Sequence, residues 1–219
     1  MALTLHFHPL SSFCHKVLIA LYENGTPFTP KLVNLQDETE RTAFRALWPI
    51  GKFPVLQDGA RDRMVPESSI IIEYLDQHYP GATKFIPDDP EQARMVRFAD
   101  RFYDLHIHLH MQKVVGDRLR PANAKDPHGV ADARTRMAAA LALADEQMAD
   151  RTWAAGGTFT LADCAAAPAL FYADKIAPFA GDYPNLIAYL ERLKRRPSYA
   201  RTLKEAEPYF RFFPKEDAA

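Results

Sequence analysis

The pattern of apolar residues changes character once along this chain, near residue 80, and any fold for it must satisfy both halves. Up to Tyr79, strand-like and helix-like segments take turns. Leu3, Leu5 and Phe7 alternate with Thr4 and His6, the period of a half-buried strand. Phe13, Val17, Leu18, Leu21 and Tyr22 then recur at helical spacing, until Asn24-Gly25 offers a residue that tolerates the left-handed stop of a helix. Thr29 to Leu35 reads as a second strand and Asp37 to Leu47 as a polar helix with Phe44 and Leu47 turned inward. Phe53 to Leu56 is a third strand, Asp58-Gly59 a turn, and Arg61 to Val65 the returning strand. A helix opened by Pro66 runs through Leu75 and ends before Pro80-Gly81. Strands joined through a helix pair in parallel, and strands joined by a tight turn pair antiparallel. The first half is therefore expected to be a mixed four-stranded sheet with helices on both faces.

Beyond residue 87 the strand signal stops. Residues 81–87, with Pro, Gly and Thr, read as a linker. Asp88-Asp89-Pro90-Glu91 is a strong helix start, and one long helix is expected from there toward Arg120, stopped by Pro121. Asp126-Pro127 opens another, to about Asp150. Thr160-Leu161-Ala162-Asp163 caps a third, apolar helix to about Ala177, and Pro184 to Arg195 and Pro197 to Ala206 are shorter ones. The expected class is α/β plus all-α, with a first domain over 1–80 and an all-helical domain over 88–219. In 219 residues, 47% hydrophobic and 25% charged, there is enough chain to bury a core without disulfide support.

Composition also narrows the partners. Lys and Arg number 27 against 28 Asp and Glu, a net charge of −1, which argues against a nucleic-acid-binding role. No apolar run approaches the ~20 residues that span a bilayer, and the first residues lack a signal-peptide pattern. The two cysteines, Cys14 and Cys164, lie far apart without zinc-ligand spacing, so no metal is expected and a reducing cytoplasm is the expected location.

Three places in the first half carry chemistry. Where the first strand hands over to the first helix lies Pro9-Leu10-Ser11-Ser12-Phe13-Cys14. Unpaired N–H groups and the helix dipole favour an anion there, and a serine hydroxyl can donate to it. A thiolate so placed has its pKa lowered; the plainer reading is a serine that merely caps the helix. Ser11 and Cys14 are spaced as in a C-x-x-C redox pair with the first sulfur replaced, which argues against dithiol chemistry and leaves Cys14 half-buried filler or a reactive thiol. In Gly51-Lys52-Phe53-Pro54-Val55-Leu56 the proline interrupts a strand-like run; a cis Phe53-Pro54 bond fits, the backbone before it can pair with an extended peptide, and Lys52 can meet a carboxylate or simply face water. In Pro66-Glu67-Ser68-Ser69, Ser68 can hold a carboxylate and Glu67 an ammonium, the two charges of an amino-acid head group; helix capping accounts for the same residues.

Together these segments resemble the glutathione S-transferase superfamily, and the likeness spans nearly the whole chain. The run S-x-F-x-x-K-V from Ser11 is similar to the S-P-F-x-x-R-V of serine-type members, with zeta- and tau-like members the nearer comparison. Gly51 to Leu56 resembles G-K-V-P-V-L, and Glu67 to Leu75 resembles E-S-x-x-I-x-x-Y-L. Thr160 to Asp163 resembles the capping box of the second domain, and Tyr183 to Ser198 the family's tail. The resemblance implies a thioredoxin-like first domain and a cytoplasmic homodimer that joins the glutathione thiolate to a small electrophile, without metal. It implies Ser11 as the thiolate-activating serine with Ser12 as its alternative. Phe53 beside a cis Pro54 would pair with the tripeptide backbone, Glu67 and Ser68 would hold the γ-glutamyl group, and Lys52 would meet the glycyl carboxylate. The motif's arginine is Lys16 here, which removes a bidentate role. Three other activities stay open on the sequence: a zeta-like isomerase, a reductase or peroxidase using Cys14, and a binding module without catalysis.

On the long helix, Tyr103 and His106 are candidates to border the acceptor site, against a core reading for the aromatic stripe Phe98, Phe102 and Tyr103. His106 and His110 have metal-competent spacing but no accompanying carboxylate pattern. Asp100 falls about where some members place an acid that reaches a neighbour's glutathione, and Asp163 is expected to serve folding rather than catalysis.

Overall fold

The computed structural model describes residues 2–216. Its first part runs β1 (Leu3–Phe7), α1 (Ser12–Glu23), β2 (Thr29–Leu32), α2 (Glu38–Leu47), β3 (Val55–Asp58), β4 (Arg63–Pro66) and α3 (Ser68–His78). The sheet has the order β2-β1-β3-β4; β1 is parallel to β2 and antiparallel to β3, and β4 is antiparallel to β3. This is the mixed four-stranded sheet expected, and it is thioredoxin-like.

Strand limits differ from the sequence reading at three places. β2 stops at Leu32, since past it the chain leaves the sheet after one further bond, from Val33 N–H to Phe7 O. The third strand begins at Val55, beyond the cis Phe53–Pro54 bond. Pro66 closes β4 opposite Val55 rather than opening α3, which starts at Ser68.

The remainder is helical: α4 (Pro90–Phe102), α5 (Leu109–Arg118), α6 (Pro127–Met148), α7 (Leu161–Ile176), α8 (Pro184–Arg195) and α9 (Pro197–Ala206). The expected long helix is continuous in direction but changes winding: Tyr103–His108 forms a π-helical turn between α4 and α5. α7 is the hub. Thirteen of its residues are buried, its stretch of alanines admits close neighbours, and it packs on α1, α4, the π turn and α8. At its start Thr160 and Asp163 form the expected capping box, and Asp163 also accepts from Ala154 N–H and Tyr189 Oη. One core of buried residues runs from β1 and α1 through α3 into the helical part, so the two halves share their interior.

Candidate active site at the end of the sheet

The register of the sheet explains why three distant segments meet. Val55 stands beside His6 on one side and Pro66 on the other. The end of β1, the start of β3 and the end of β4 therefore lie at one edge. From that edge emerge the Pro9–Ser11 turn, the Phe53–Pro54 pair and the Glu67–Ser68 turn. α1 and α3 both begin there, so two sets of unpaired helix N–H groups face the same region.

Ser11 is the N-cap of α1, in extended conformation, and its Oγ accepts from Cys14 N–H at 3.4 Å. A hydroxyl that accepts this bond keeps its own proton to donate. Its neighbour faces the other way: Ser12 is buried, with its Oγ bonded to Nε2 of His108 on the π turn. Cys14 is completely buried rather than half-buried, and burial pushes its thiol up to about 12 despite the bonds from Ser11 and the His8 backbone. A thiol so held is not a nucleophile at neutral pH. Cys14→Ala should leave turnover unchanged, as steady-state kinetics on the purified variant would check.

The turn itself is held from behind by two donors. The His15 ring lies fully buried in α1 and bonds Pro9 O through Nε2 at 2.6 Å; burial lowers its pKa to about 4, so it is neutral and Nε2 donates. Tyr172 of α7 donates its hydroxyl to Leu10 O at 2.9 Å. Across the edge, the Phe53 ring stacks on His8 at 6.1 Å. Among the described residues the Phe53 N–H and C=O enter no hydrogen bond, so both are free to pair with an extended peptide. Glu67 is exposed at φ 69°, a left-handed conformation that L-residues avoid, while Ser68 is buried at the first position of α3. Lys52 is exposed.

Behind this edge lies a buried ionic cluster. Lys16 Nζ uses all three donors, to Ser69 Oγ at 2.9 Å, Asp100 Oδ1 at 2.8 Å and Asp104 Oδ2 at 2.6 Å. Burial opposes the ammonium, but Asp104 and Asp100 outweigh it and hold its pKa above the ordinary value. Asp100 is thus the counter-charge of Lys16 in its own chain and, almost fully buried, does not reach toward a neighbour.

Of the acceptor-site candidates, Tyr103 is 4% exposed and packs edge-on to Phe102, which puts it in the core rather than on an open cleft. His106 is exposed with its ring against Phe102. His108, Asp104, His8 and Tyr172 were not singled out from the sequence. The run His106-Ile107-His108-Leu109-His110 held the signal; the π turn adds a residue to the helical count, and within that run it is His108 that lies buried while His106 stays exposed.

Comparison with known proteins decides the family. Residues 5–83 match the family model described as glutathione S-transferase, N-terminal domain, and residues 127–192 that of its C-terminal domain. The glutathione S-transferase-like protein LUC7 of a Fusarium species is 30% identical over 201 residues, covering 88% of this chain and 84% of its own. The chain belongs to the glutathione S-transferase superfamily. Glutathione S-transferase F13 of Arabidopsis thaliana is 28% identical, covering 92% of this chain and 94% of its own length. Among solved structures, a glutathione S-transferase of Methylobacterium radiotolerans in complex with glutathione sulfonate superposes with TM-score 0.80 at 27% identity, covering 99% of this chain and 97% of its own. Among the described residues of this superfamily member, no group of three or more His, Cys, Asp or Glu is placed to hold a metal ion, and no helix is long and apolar enough to cross a membrane.

Proposed function

We propose that the protein is a glutathione transferase that joins the thiolate of glutathione to a small electrophile. The observation that carries this reading is the Ser11 hydroxyl at the start of α1, its oxygen engaged by Cys14 N–H and its proton free for an anion. The helix dipole adds to that donor, and both favour thiolate over thiol. The glutathione sulfonate bound by the Methylobacterium relative supports the choice of tripeptide. In this reading the free N–H and C=O of Phe53, before cis Pro54, pair with the cysteinyl backbone, Glu67 and Ser68 hold the γ-glutamyl group, and Lys52 meets the glycyl carboxylate. His106 borders the acceptor. The strained Glu67 backbone supports this, because such strain gathers where a site requires it.

The buried Cys14 speaks against a reductase built on that thiol. Exposed Met64, Ile70, Met95 and Phe98, on β4, α3 and α4, support a homodimer joined through this face. Both cysteines are free and buried, which suits a reducing cytoplasm.

Ultraviolet titration of bound glutathione tests the reading. The wild type should hold a thiolate well below the pH at which free glutathione ionises. Ser11→Ala should raise the midpoint by about one unit or more and lower kcat/KM by about tenfold to a hundredfold. It should also cost about 1 kcal/mol of stability through the lost cap. A wild-type midpoint equal to that of free glutathione would sink the assignment.

A further inference from the structure

We propose that His8 is the hydrogen-bond donor on the acceptor side of this site, and that it selects electrophiles whose attacked carbon passes its electron pair to an oxygen. The proposal rests on the glutathione reading above and extends it from the sulfur, which Ser11 serves, to the second reactant. His8 stands one residue past the end of β1, and the turn that leads to Ser11 is built on it. Its C=O accepts Ser11 N–H at 2.9 Å, and its Nδ1 accepts Leu10 N–H at 3.2 Å. The second bond fixes which ring nitrogen carries the proton. Nδ1 accepts through its lone pair, so the proton of the neutral ring is on Nε2. Burial holds His8 below the usual histidine range, which keeps the ring neutral at neutral pH. The Nε2 of His15, on the same stretch, is spent on Pro9 O, whereas the Nε2–H of His8 donates to nothing among the described residues.

The contacts of the half-buried ring place this free donor beside the sulfur. It stacks on Phe53 at 6.1 Å with the planes 20° apart. Tyr209, on the 3-10 turn Glu207–Phe212 that follows α9, meets it nearly edge-on at 5.3 Å. Phe53 is the residue whose main chain is free for the cysteinyl group, and Ser11 the one whose hydroxyl is free for its sulfur. His8 lies between the two, tied by its ring to Phe53 and by Leu10 to Ser11, and Tyr209 brings the helical part of the chain up to the same ring. With the tripeptide along the edge of the sheet, the second reactant meets the sulfur from the helical side, and there this N–H stands. A ring held by two aromatic neighbours and a main-chain bond donates without reorganising. Tyr209 adds an apolar face for the body of the electrophile.

An epoxide shows the step in full. The thiolate sulfur attacks a ring carbon, the C–S bond forms, the C–O bond breaks, and the released pair stays on oxygen, where Nε2–H donates to it. His8 keeps its proton throughout. The alkoxide takes a proton from water, and water has received the thiol proton when the thiolate formed. A chloride leaving group gains far less, because the diffuse charge on chlorine is a weak acceptor beside an alkoxide.

The test uses the full chain saturated with glutathione and two probes: styrene oxide, which leaves its charge on oxygen, and benzyl chloride, which leaves it on chlorine. Asparagine can accept from Leu10 N–H in place of Nδ1 but has no donor where Nε2 stood; glutamine reaches that place with an N–H but gives up the acceptor for Leu10. His8→Asn should lower the ratio of kcat/KM for styrene oxide to that for benzyl chloride by about tenfold or more. The thiolate midpoint of bound glutathione should stay at the wild-type value, and His8→Gln should restore most of the ratio. Glutamine worse than asparagine, or a loss equal for the two probes, would mean that His8 only holds the turn, and the proposal is overturned. A loss that follows a raised thiolate midpoint overturns it too, since the donor would then serve the sulfur. If the wild type holds the thiolate but does not open styrene oxide, the proposal falls and the glutathione reading stands; if the wild type shows no thiolate, both fall.

Discussion

Replacing Lys16 by Met should lower the unfolding free energy by about 3–5 kcal/mol, read from urea denaturation. Met matches the length of the stem and fills the fully buried site, so little of the loss would come from a cavity. The loss comes from what remains. Asp100 is almost fully buried, Asp104 nearly so, and both would lose their shared cation. An uncompensated buried charge is expensive, so the carboxylates would have to protonate, rearrange or drag in water. Because Lys16 lies on α1, Ser69 on α3, Asp100 on α4 and Asp104 on the π turn, the damage falls on the seam between the sheet and the helices. Lys16→Arg should also destabilise, since a planar fork does not reproduce three diverging donors in a closed site. A Lys16→Met variant within about 1 kcal/mol of wild type would mean that the pairing barely exceeds its own desolvation.

The same cluster shows what the sequence could convey. Alternation in β1 and helical spacing in α1 gave the elements of the first half because one face of each meets the core, and burial imprints its period on the residues. The strand connections then left few topologies, and turns and helix starts restrict residue type locally, which marked the places where Ser11, Phe53 and Glu67 stand, while their proposed roles came from the family resemblance alone. Lys16 was legible only as a departure from a motif. Its three partners lie 53, 84 and 88 positions away, and no local pattern encodes a pairing at that separation. His108 was passed over for a different reason. A π turn inserts a residue into the helical count without any proline or glycine to announce it, so the inward face rotates from the position a regular helix would give. For Tyr103, offered both as a border of the cleft and as part of a core stripe, the core reading holds: its ring is buried against Phe102. Tyr172 and His15 were invisible for a third reason. Each bonds a main-chain carbonyl, and a carbonyl acceptor leaves no trace in residue type.

Asp163→Ala should be as damaging as the loss of Lys16, about 3–5 kcal/mol, with little effect on turnover of the molecules that remain folded. Asp163 is completely buried at the third position of α7, and its two oxygens accept four hydrogen bonds. Oδ1 takes Ala154 N–H at 2.8 Å and Tyr189 Oη at 2.6 Å; Oδ2 takes Thr160 N–H at 2.8 Å and Thr160 Oγ1 at 3.2 Å. Burial raises its pKa to about 6 against the pull of these donors, so it remains an acceptor-only carboxylate at neutral pH. Alanine would leave two backbone N–H groups and a tyrosine hydroxyl unpaired in the interior, where each costs about 1–3 kcal/mol. Asparagine should recover only part, because its NH2 would face donors where the second oxygen stood. Tyr189→Phe removes one donor and leaves the carboxylate three, so it should cost only about 1 kcal/mol. The ordering alanine worse than asparagine worse than Tyr189→Phe, in paired urea melts and kinetics, is the expected result. Loss of kcat/KM at full stability in Asp163→Ala would contradict it. α7 packs on α1, and its Tyr172 bonds Leu10 O just before Ser11, so a helix that fails to start would release the turn on which the proposed chemistry depends.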